Sequence, residues 1–205
     1  MRLVQIAGYL GSGKTTFLLA LVQKLAENDK KVAILVNDMG EIPVDGKVME
    51  KAGMKVKDIG GGCVCCTLSG SLMNTLLAIG REQNPDFIII EPTGIAVPKN
   101  ITELAQRVSK KVEISFGATI TLFDTTRAEK LVTYDTLKRL ISTQIKDSDI
   151  VALSKVDACD ADAIKFSKEE VAKMNPNAEI INLSTKEGVG FEELASAVME
   201  IEVSA

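Results

Sequence analysis

Apolar and polar residues alternate along this chain in two different rhythms, and the rhythms themselves alternate. Continuous apolar or β-type runs at Arg2 to Ala7, Lys31 to Val36, Met54 to Ile59, Phe87 to Ile90, Ile114 to Phe123, Ile150 to Leu153 and Glu179 to Leu183 predict strands. The run Phe87-Ile88-Ile89-Ile90 is the most apolar, as a strand covered on both faces requires. Between these runs, apolar residues recur at helical spacing. In the first such stretch, Lys14 to about Asn28, Phe17, Leu18, Leu21, Val22 and Leu25 form one face. Further helices are expected at Leu68 to Arg81, Ile101 to Ser109, Thr136 to Ile145, Ala163 to Lys173 and Phe191 to Glu200. Strand and helix in alternation imply right-handed crossovers and a mostly parallel, doubly wound sheet with helices on both faces, an α/β fold of three layers. No internal repeat, low-complexity tract or linker interrupts the pattern, so residues 1–205 are expected to form a single α/β domain.

Composition narrows the chemistry. The chain has 205 residues, 46% hydrophobic and 25% charged, enough apolar surface for a packed core. Lys and Arg total 24 against 28 Asp and Glu, a formal charge of −4, which argues against nucleic-acid or anionic-membrane partners. No apolar stretch approaches the roughly 20 residues of a membrane span, and the N-terminus lacks a cleavable leader, so a cytoplasmic protein is expected. There is no His. Every mechanism built on an imidazole base is thereby excluded, as are His-ligated metal sites. Any metal must be held by thiolates, carboxylates, carbonyls or hydroxyls.

Gly8-Tyr9-Leu10-Gly11-Ser12-Gly13-Lys14-Thr15 satisfies G-x-x-x-x-G-K-[ST] at every fixed position, after a strand and at the head of an amphipathic helix. A chance match occurs in about 1 chain in 100 of this size, and the strand-to-helix context makes it rarer still. The glycines let the backbone N–H groups of Gly11, Ser12, Gly13 and Lys14 wrap a phosphate at the positive end of the helix. Lys14 reaches the β- and γ-phosphates, the Thr15 hydroxyl completes a Mg²⁺ shell, and Thr16 continues the first turn. The fold is thus a P-loop NTPase. Ile90-Glu91-Pro92-Thr93-Gly94 places a carboxylate just past a buried strand and a glycine three residues on: Glu91 can hold Mg²⁺ and the Gly94 amide can sense the γ-phosphate.

Ser154-Lys155-Val156-Asp157 resembles the N-K-x-D guanine reader, with Ser154 where Asn is usual. The Asp157 carboxylate can accept two hydrogen bonds from guanine N1–H and its exocyclic amine, while the Lys155 stem covers the base; Ser184 and Thr185 lie in a loop suited to guanine O6. This points to GTP rather than ATP. Three of the four cysteines fall in Gly62-Cys63-Val64-Cys65-Cys66. Cys63 and Cys65 share one face of an extended segment, and Cys66 joins them if a helix starts there. Such a trio suits Zn²⁺ first, then Cu(I), Co²⁺ or Ni²⁺, with water, Asp38 or Glu41 as a fourth ligand. A vicinal redox pair and buried structural cysteines are the alternatives. Cys159 reads as incidental.

Together GYLGSGKTT, VNDMGE, GGGCVCCTLSGSL, IIIEPTG and SKVD occur in the order that resembles the CobW/HypB/UreG metallochaperone GTPases, of the SIMIBI class of P-loop proteins. The resemblance implies that Lys14 and Thr15 bind phosphate and Mg²⁺. It also implies that Cys63, Cys65 and Cys66 bind a transition metal and that Asp157 reads guanine. Glu91 and Gly94 fall on the family's Walker-B-like motif. Asn37-Asp38-Met39-Gly40-Glu41 is one methylene shorter at its first acid than the family pattern, and the protein is expected to be a nucleotide-switch module without the family's separate C-terminal domain or His-rich tract. The implied activity is slow, Mg²⁺-dependent GTP hydrolysis, with Asp38 or Glu91 positioning water. No cis arginine finger is evident, because Arg81 and Arg127 lie outside the motifs. Binding of GTP or GDP would control metal delivery to a client metalloenzyme or corrinoid protein, with a possible nucleotide-dependent homodimer. Two other readings stand beside it: a GTP-dependent regulator or reactivator without metal cargo, and an ATP-dependent small-molecule kinase.

Overall fold

A computed structural model of the chain describes residues 1–36, 56–58 and 69–203. Seven strands form one sheet: β1 (Arg2–Gly8), β2 (Val32–Val36), β3 (Val56–Asp58), β4 (Phe87–Glu91), β5 (Ser115–Asp124), β6 (Ile150–Ser154) and β7 (Glu179–Leu183). Their order is β3-β2-β4-β1-β5-β6-β7, and every pairing is parallel. The strands carry few polar positions because both faces are covered: β4 is buried throughout, and β5 is buried at nine of its ten positions.

The helices are α1 (Lys14–Glu27), α2 (Ser69–Glu82), α3 (Pro98–Ser109), α4 (Ala128–Thr133), α5 (Asp135–Lys146), α6 (Ala161–Met174) and α7 (Phe191–Glu200). On one face Phe17, Leu18, Leu21 and Leu25 of α1 and Leu194 and Val198 of α7 pack on Val4, Ile6, Ile89 and Ile120. On the other, Leu72, Leu76 and Ile79 of α2 and Ile101, Ala105 and Val108 of α3 meet Leu3, Ile88 and Ile90. Ile141 and Ile145 of α5 and Val171 of α6 meet Phe123, Val151 and Leu153. The three layers follow from strict alternation of side chains along buried parallel strands.

Several boundaries differ from the sequence expectation for local reasons. The third helix begins at Pro98, three residues early, because proline lacks the N–H that the first turn leaves unpaired. The short α4, preceded by a 3₁₀ turn over Thr125–Arg127, was not predicted; six residues are too few to show a period. Among the described residues no helix is long and apolar enough to cross a membrane.

Parallel pairing has one consequence for function. Gly8, Glu91, Asp124, Ser154 and Leu183 all end their strands on the same edge of the sheet. The chain reverses direction of growth at β1, which lies between β4 and β5. A crevice at the carboxyl ends of such strands is where open α/β sheets bind ligands.

Candidate functional site

The phosphate loop leaves β1 at Gly8 and enters α1 through Gly13, whose φ of 95° lies in the left-handed region that glycine adopts without strain. No side chain caps α1. Its first amides, at the positive end of the helix dipole, are therefore presented for an anion rather than satisfied by the protein's own side chains. Lys14 is mostly buried at this point, at 8% exposure, Thr15 is half-buried, and Thr16 is exposed. The Thr15 hydroxyl donates to Glu91 Oε1 at 2.8 Å, a contact that joins the phosphate loop to the end of β4 across 76 residues of sequence. Hydroxyl and carboxylate together are hard oxygen donors of the kind Mg²⁺ selects, so these two residues fit that ion.

Gly94 follows closely. A Cβ there would sit 2.7 Å from the Leu10 backbone nitrogen, so only glycine allows the segment after β4 to touch the phosphate loop. The Gly94 carbonyl accepts from the Gln144 amide nitrogen at 3.1 Å, as does that of Ala96 at 2.9 Å.

The Ser154-Lys155-Val156-Asp157 segment at the end of β6 arrives from the other side. Lys155 itself has φ 63°, an unusual backbone for a side-chain-bearing residue, which turns the chain sharply back over the phosphate loop. Its ammonium donates to the Gly11 carbonyl at 2.7 Å. The Ser154 hydroxyl lies 2.8 Å from the Ser12 carbonyl and 3.2 Å from that of Phe123. Ser154 thus braces the phosphate loop despite standing where Asn is usual: Ser12 comes close enough for the shorter side chain to reach. Asp157 is exposed in a 3₁₀ turn, Val156–Ala158, where a base could approach it. Ser184 is buried and Thr185 half-buried beyond β7, next to β6 in the sheet. There the Ser184 hydroxyl accepts from the Glu187 amide at 3.1 Å and shapes the turn.

Cys63, Cys65, Cys66, Asp38 and Glu41 lie outside the described residues. Among the described residues no group of three or more Cys, Asp or Glu side chains is placed to hold a metal.

A profile described as the CobW/HypB/UreG nucleotide-binding domain matches residues 2–182. The chain belongs to the CobW/HypB/UreG family. Over 119 residues it is 39% identical to the zinc chaperone YeiR of Escherichia coli K12, covering 58% of this chain and 36% of that protein. With zinc-regulated GTPase metalloprotein activator 1 of Dictyostelium discoideum it is 26% identical over 224 residues, covering 92% of this chain and 46% of that protein. It spans less than half the length of either relative. The crystal structure of hydrogenase maturation factor HypB from Archaeoglobus fulgidus matches with a TM-score of 0.71 at 20% identity, covering 96% of this chain and 87% of that one. That likeness bears on the fold, which is the P-loop α/β architecture expected from the sequence.

Two residues of this CobW/HypB/UreG domain escape the motifs. Asp124 ends β5 fully buried, and its Oδ2 accepts from Lys155 Nζ and from Arg127 Nε, both at 2.8 Å. Its Oδ1 accepts from the Thr126 hydroxyl at 2.6 Å. Arg127, with no motif around it, reaches the Leu10 carbonyl at 2.6 Å. One carboxylate thereby aims two cations at successive carbonyls of the phosphate loop. An acidic residue ending a strand beside β1 was the available signal, but Asp-Thr-Thr-Arg reads as an ordinary strand exit until the sheet order is known.

Burial alone would raise the Asp124 carboxyl. The Lys155 and Thr126 hydrogen bonds and the charges of Arg127 and Lys155 outweigh it and hold the group below the ordinary carboxylate range. A depressed folded value means stabilisation that is complete above the unfolded pKa of about 3.9 and lost as pH falls through the folded value. Asp124→Asn should therefore destabilise the protein at pH 7 by about 1–3 kcal/mol, reduced from a fully buried pair because both cations reach solvent. In urea melts the gap between variant and wild type should narrow as pH falls below about 4. A gap unchanged between pH 7 and pH 3 would contradict the assignment.

Proposed function

We propose that this chain is a Mg²⁺-dependent GTPase switch whose nucleotide controls capture and release of a transition metal, zinc first, for a client metalloenzyme. The observation that carries the reading is the hydrogen bond between Thr15 and Glu91. It sets a phosphate-loop hydroxyl and a strand-end carboxylate together beside an uncapped helix N-terminus, on a loop whose Leu10 packs closely on Gly94. In this reading the α1 amides and Lys14 bind the β- and γ-phosphates, and Thr15 and Glu91 hold Mg²⁺. When bound, that ion neutralises charge developing on the transferred phosphoryl group. Gly94 senses the γ-phosphate, Asp38 or Glu91 positions the attacking water, and Ser154, Lys155, Asp157, Ser184 and Thr185 form the guanine site. Lys155 and Ser154 act there through the phosphate loop, which they brace at Gly11 and Ser12.

The cargo would be held by Cys63, Cys65 and Cys66, with Asp38 or Glu41 completing the shell. Support comes from the donor chemistry of three thiolates within four residues and from relatives named zinc chaperone and zinc-regulated GTPase metalloprotein activator. A nucleotide-dependent homodimer and a cytoplasmic location belong to the same reading.

The test is zinc affinity of the fully reduced protein with GDP and with a non-hydrolysable GTP analogue. The two affinities should differ by about tenfold, a typical coupling between two sites. Equal affinities would leave a GTPase without metal coupling. Replacing Cys63, Cys65 and Cys66 together by Ser should abolish zinc capture and client activation alike. Activation that survives the replacement would point instead to a regulator that carries no metal.

A further inference from the structure

Gln144 belongs to no motif, yet it is a fully buried amide on α5 whose nitrogen serves the segment that follows Glu91. Two carbonyl oxygens, of Gly94 and Ala96, lie 3.1 and 2.9 Å from it. Their pairing decides how the amide is turned, since the opposite orientation would press its oxygen against both acceptors. Each of the two N–H bonds of Gln144 is matched to one carbonyl.

The helix that carries Gln144 is itself held firmly. Ser148, one turn on, places its hydroxyl 2.6 Å from Thr121 Oγ1 on β5 and 2.8 Å from the Gln144 carbonyl. The buried Asn175, at the C-terminal cap of α6, donates from Nδ2 to the carbonyls of Ile145 and Ser148 at 2.9 and 3.0 Å, satisfying the end of α5. The amide of Gln144 is therefore a fixed point referred to the sheet. Gly94 lies between that point and the Leu10 backbone, which a Cβ on Gly94 would meet at 2.7 Å.

We propose that Gln144 is a positioning residue for the γ-phosphate sensor: it holds the Gly94 and Ala96 carbonyls on the C-terminal side of the Gly94 Cα, and Ala96, whose N–H donates to the Thr93 carbonyl at 3.0 Å, in turn fixes the Thr93–Gly94 peptide whose N–H is the sensor. The inference rests on the reading of Gly94 as that sensor. Gln144 touches neither nucleotide nor reacting atoms; it acts through the two carbonyls it holds. A segment anchored at Gly94 and Ala96 confines nucleotide-driven movement to the short stretch between Glu91 and Gly94. Binding of GDP, which has no γ-phosphate, does not draw on this anchor, whereas binding and hydrolysis of GTP do.

The test uses the whole chain with Mg²⁺. Gln144→Met keeps the length and bulk of the side chain and removes both donors. Affinities for GDP and for a non-hydrolysable GTP analogue are measured by titration, and hydrolysis by single turnover. The variant should bind GDP within about twofold of wild type, bind the GTP analogue about tenfold more weakly and hydrolyse GTP more slowly by a similar factor or more. Equal weakening of both nucleotides, or no weakening of either, overturns the proposal. Gln144→Glu supplies a second readout should the Met variant fold poorly. Its carboxyl donates a hydrogen bond when protonated and none when ionised, so its single-turnover rate relative to wild type should rise from pH 8 to pH 6; a flat ratio counts against the assignment. A wild-type protein that binds GDP and the analogue equally would remove the sensor reading itself. A wild-type preference retained by Gln144→Met removes only the role of Gln144.

Discussion

Lys14→Ala is expected to slow single-turnover GTP hydrolysis by about 10²–10³-fold. Lys14 is held mostly out of water, 8% exposed as a residue, at the head of a helix whose own dipole is positive there. Charge that moves onto the β–γ bridge and the γ-oxygens during phosphoryl transfer would be met by a cation already in place, with no reorganisation at the moment of reaction. In water the same cation would be worth little; between the sheet and α1 its field is less screened. Nucleotide affinity should fall as well, because the ground-state polyphosphate is also anionic. The fall in rate should exceed the fall in GDP affinity, since GDP offers no γ-phosphate to the ammonium. Comparing single-turnover rate with GDP affinity by titration checks this. A rate within tenfold of wild type would mean that the phosphate loop binds without catalysing.

The second large effect concerns the base. Asp157→Asn should weaken GTP by at least about 10²-fold and improve binding of the xanthine analogue relative to GTP. The carboxylate of Asp157 is exposed on a 3₁₀ turn directly after Lys155 and can accept from both guanine donors. An asparagine offers one acceptor and one donor. Its N–H₂ then faces the exocyclic amine of guanine, donor against donor, whereas xanthine carries a carbonyl at that position. A loss of this size is characteristic of sites built around a hydrogen bond, because the mismatched group is left unpaired against the protein. Titration of GTP, ATP and the xanthine nucleotide against wild type and variant separates the outcomes. If the wild type takes ATP as well as GTP, the guanine assignment fails, and the kinase reading gains ground.

These effects also bear on coupling between the two ends of the site. Lys155 and Arg127 share the Asp124 carboxylate and grip the Gly11 and Leu10 carbonyls. Leu10 in turn abuts Gly94, which Gln144 holds. The loop after β6, the phosphate loop and the segment after β4 are therefore linked in series, by polar contacts through Asp124 and by the close packing of Leu10 on Gly94. Neighbours so linked do not contribute additively, so double substitutions at Asp124 and Lys155 should cost less than the sum of the singles.

What the sequence determined by itself was whatever repeats at short range. Among the described residues, strand and helix periods gave seven strands and six of the seven helices, with two elements matching at both ends, Glu179–Leu183 and Phe191–Glu200. Local fingerprints identified Gly8 to Thr15, Glu91 to Gly94 and Ser154 to Asp157, because a phosphate-wrapping turn or a strand-end carboxylate needs particular residue types at adjacent positions. Tertiary structure alone decided the partnerships. Asp124, Arg127 and Gln144 carry no local signature, since their roles exist only once parallel pairing sets β5 and β6 beside β1 and packs α5 behind Gly94. The bracing by Ser154 is of the same kind. A hydroxyl can replace a longer amide only if the backbone it must reach comes close enough, and that distance is set by the packing of whole elements, which no neighbouring residue encodes.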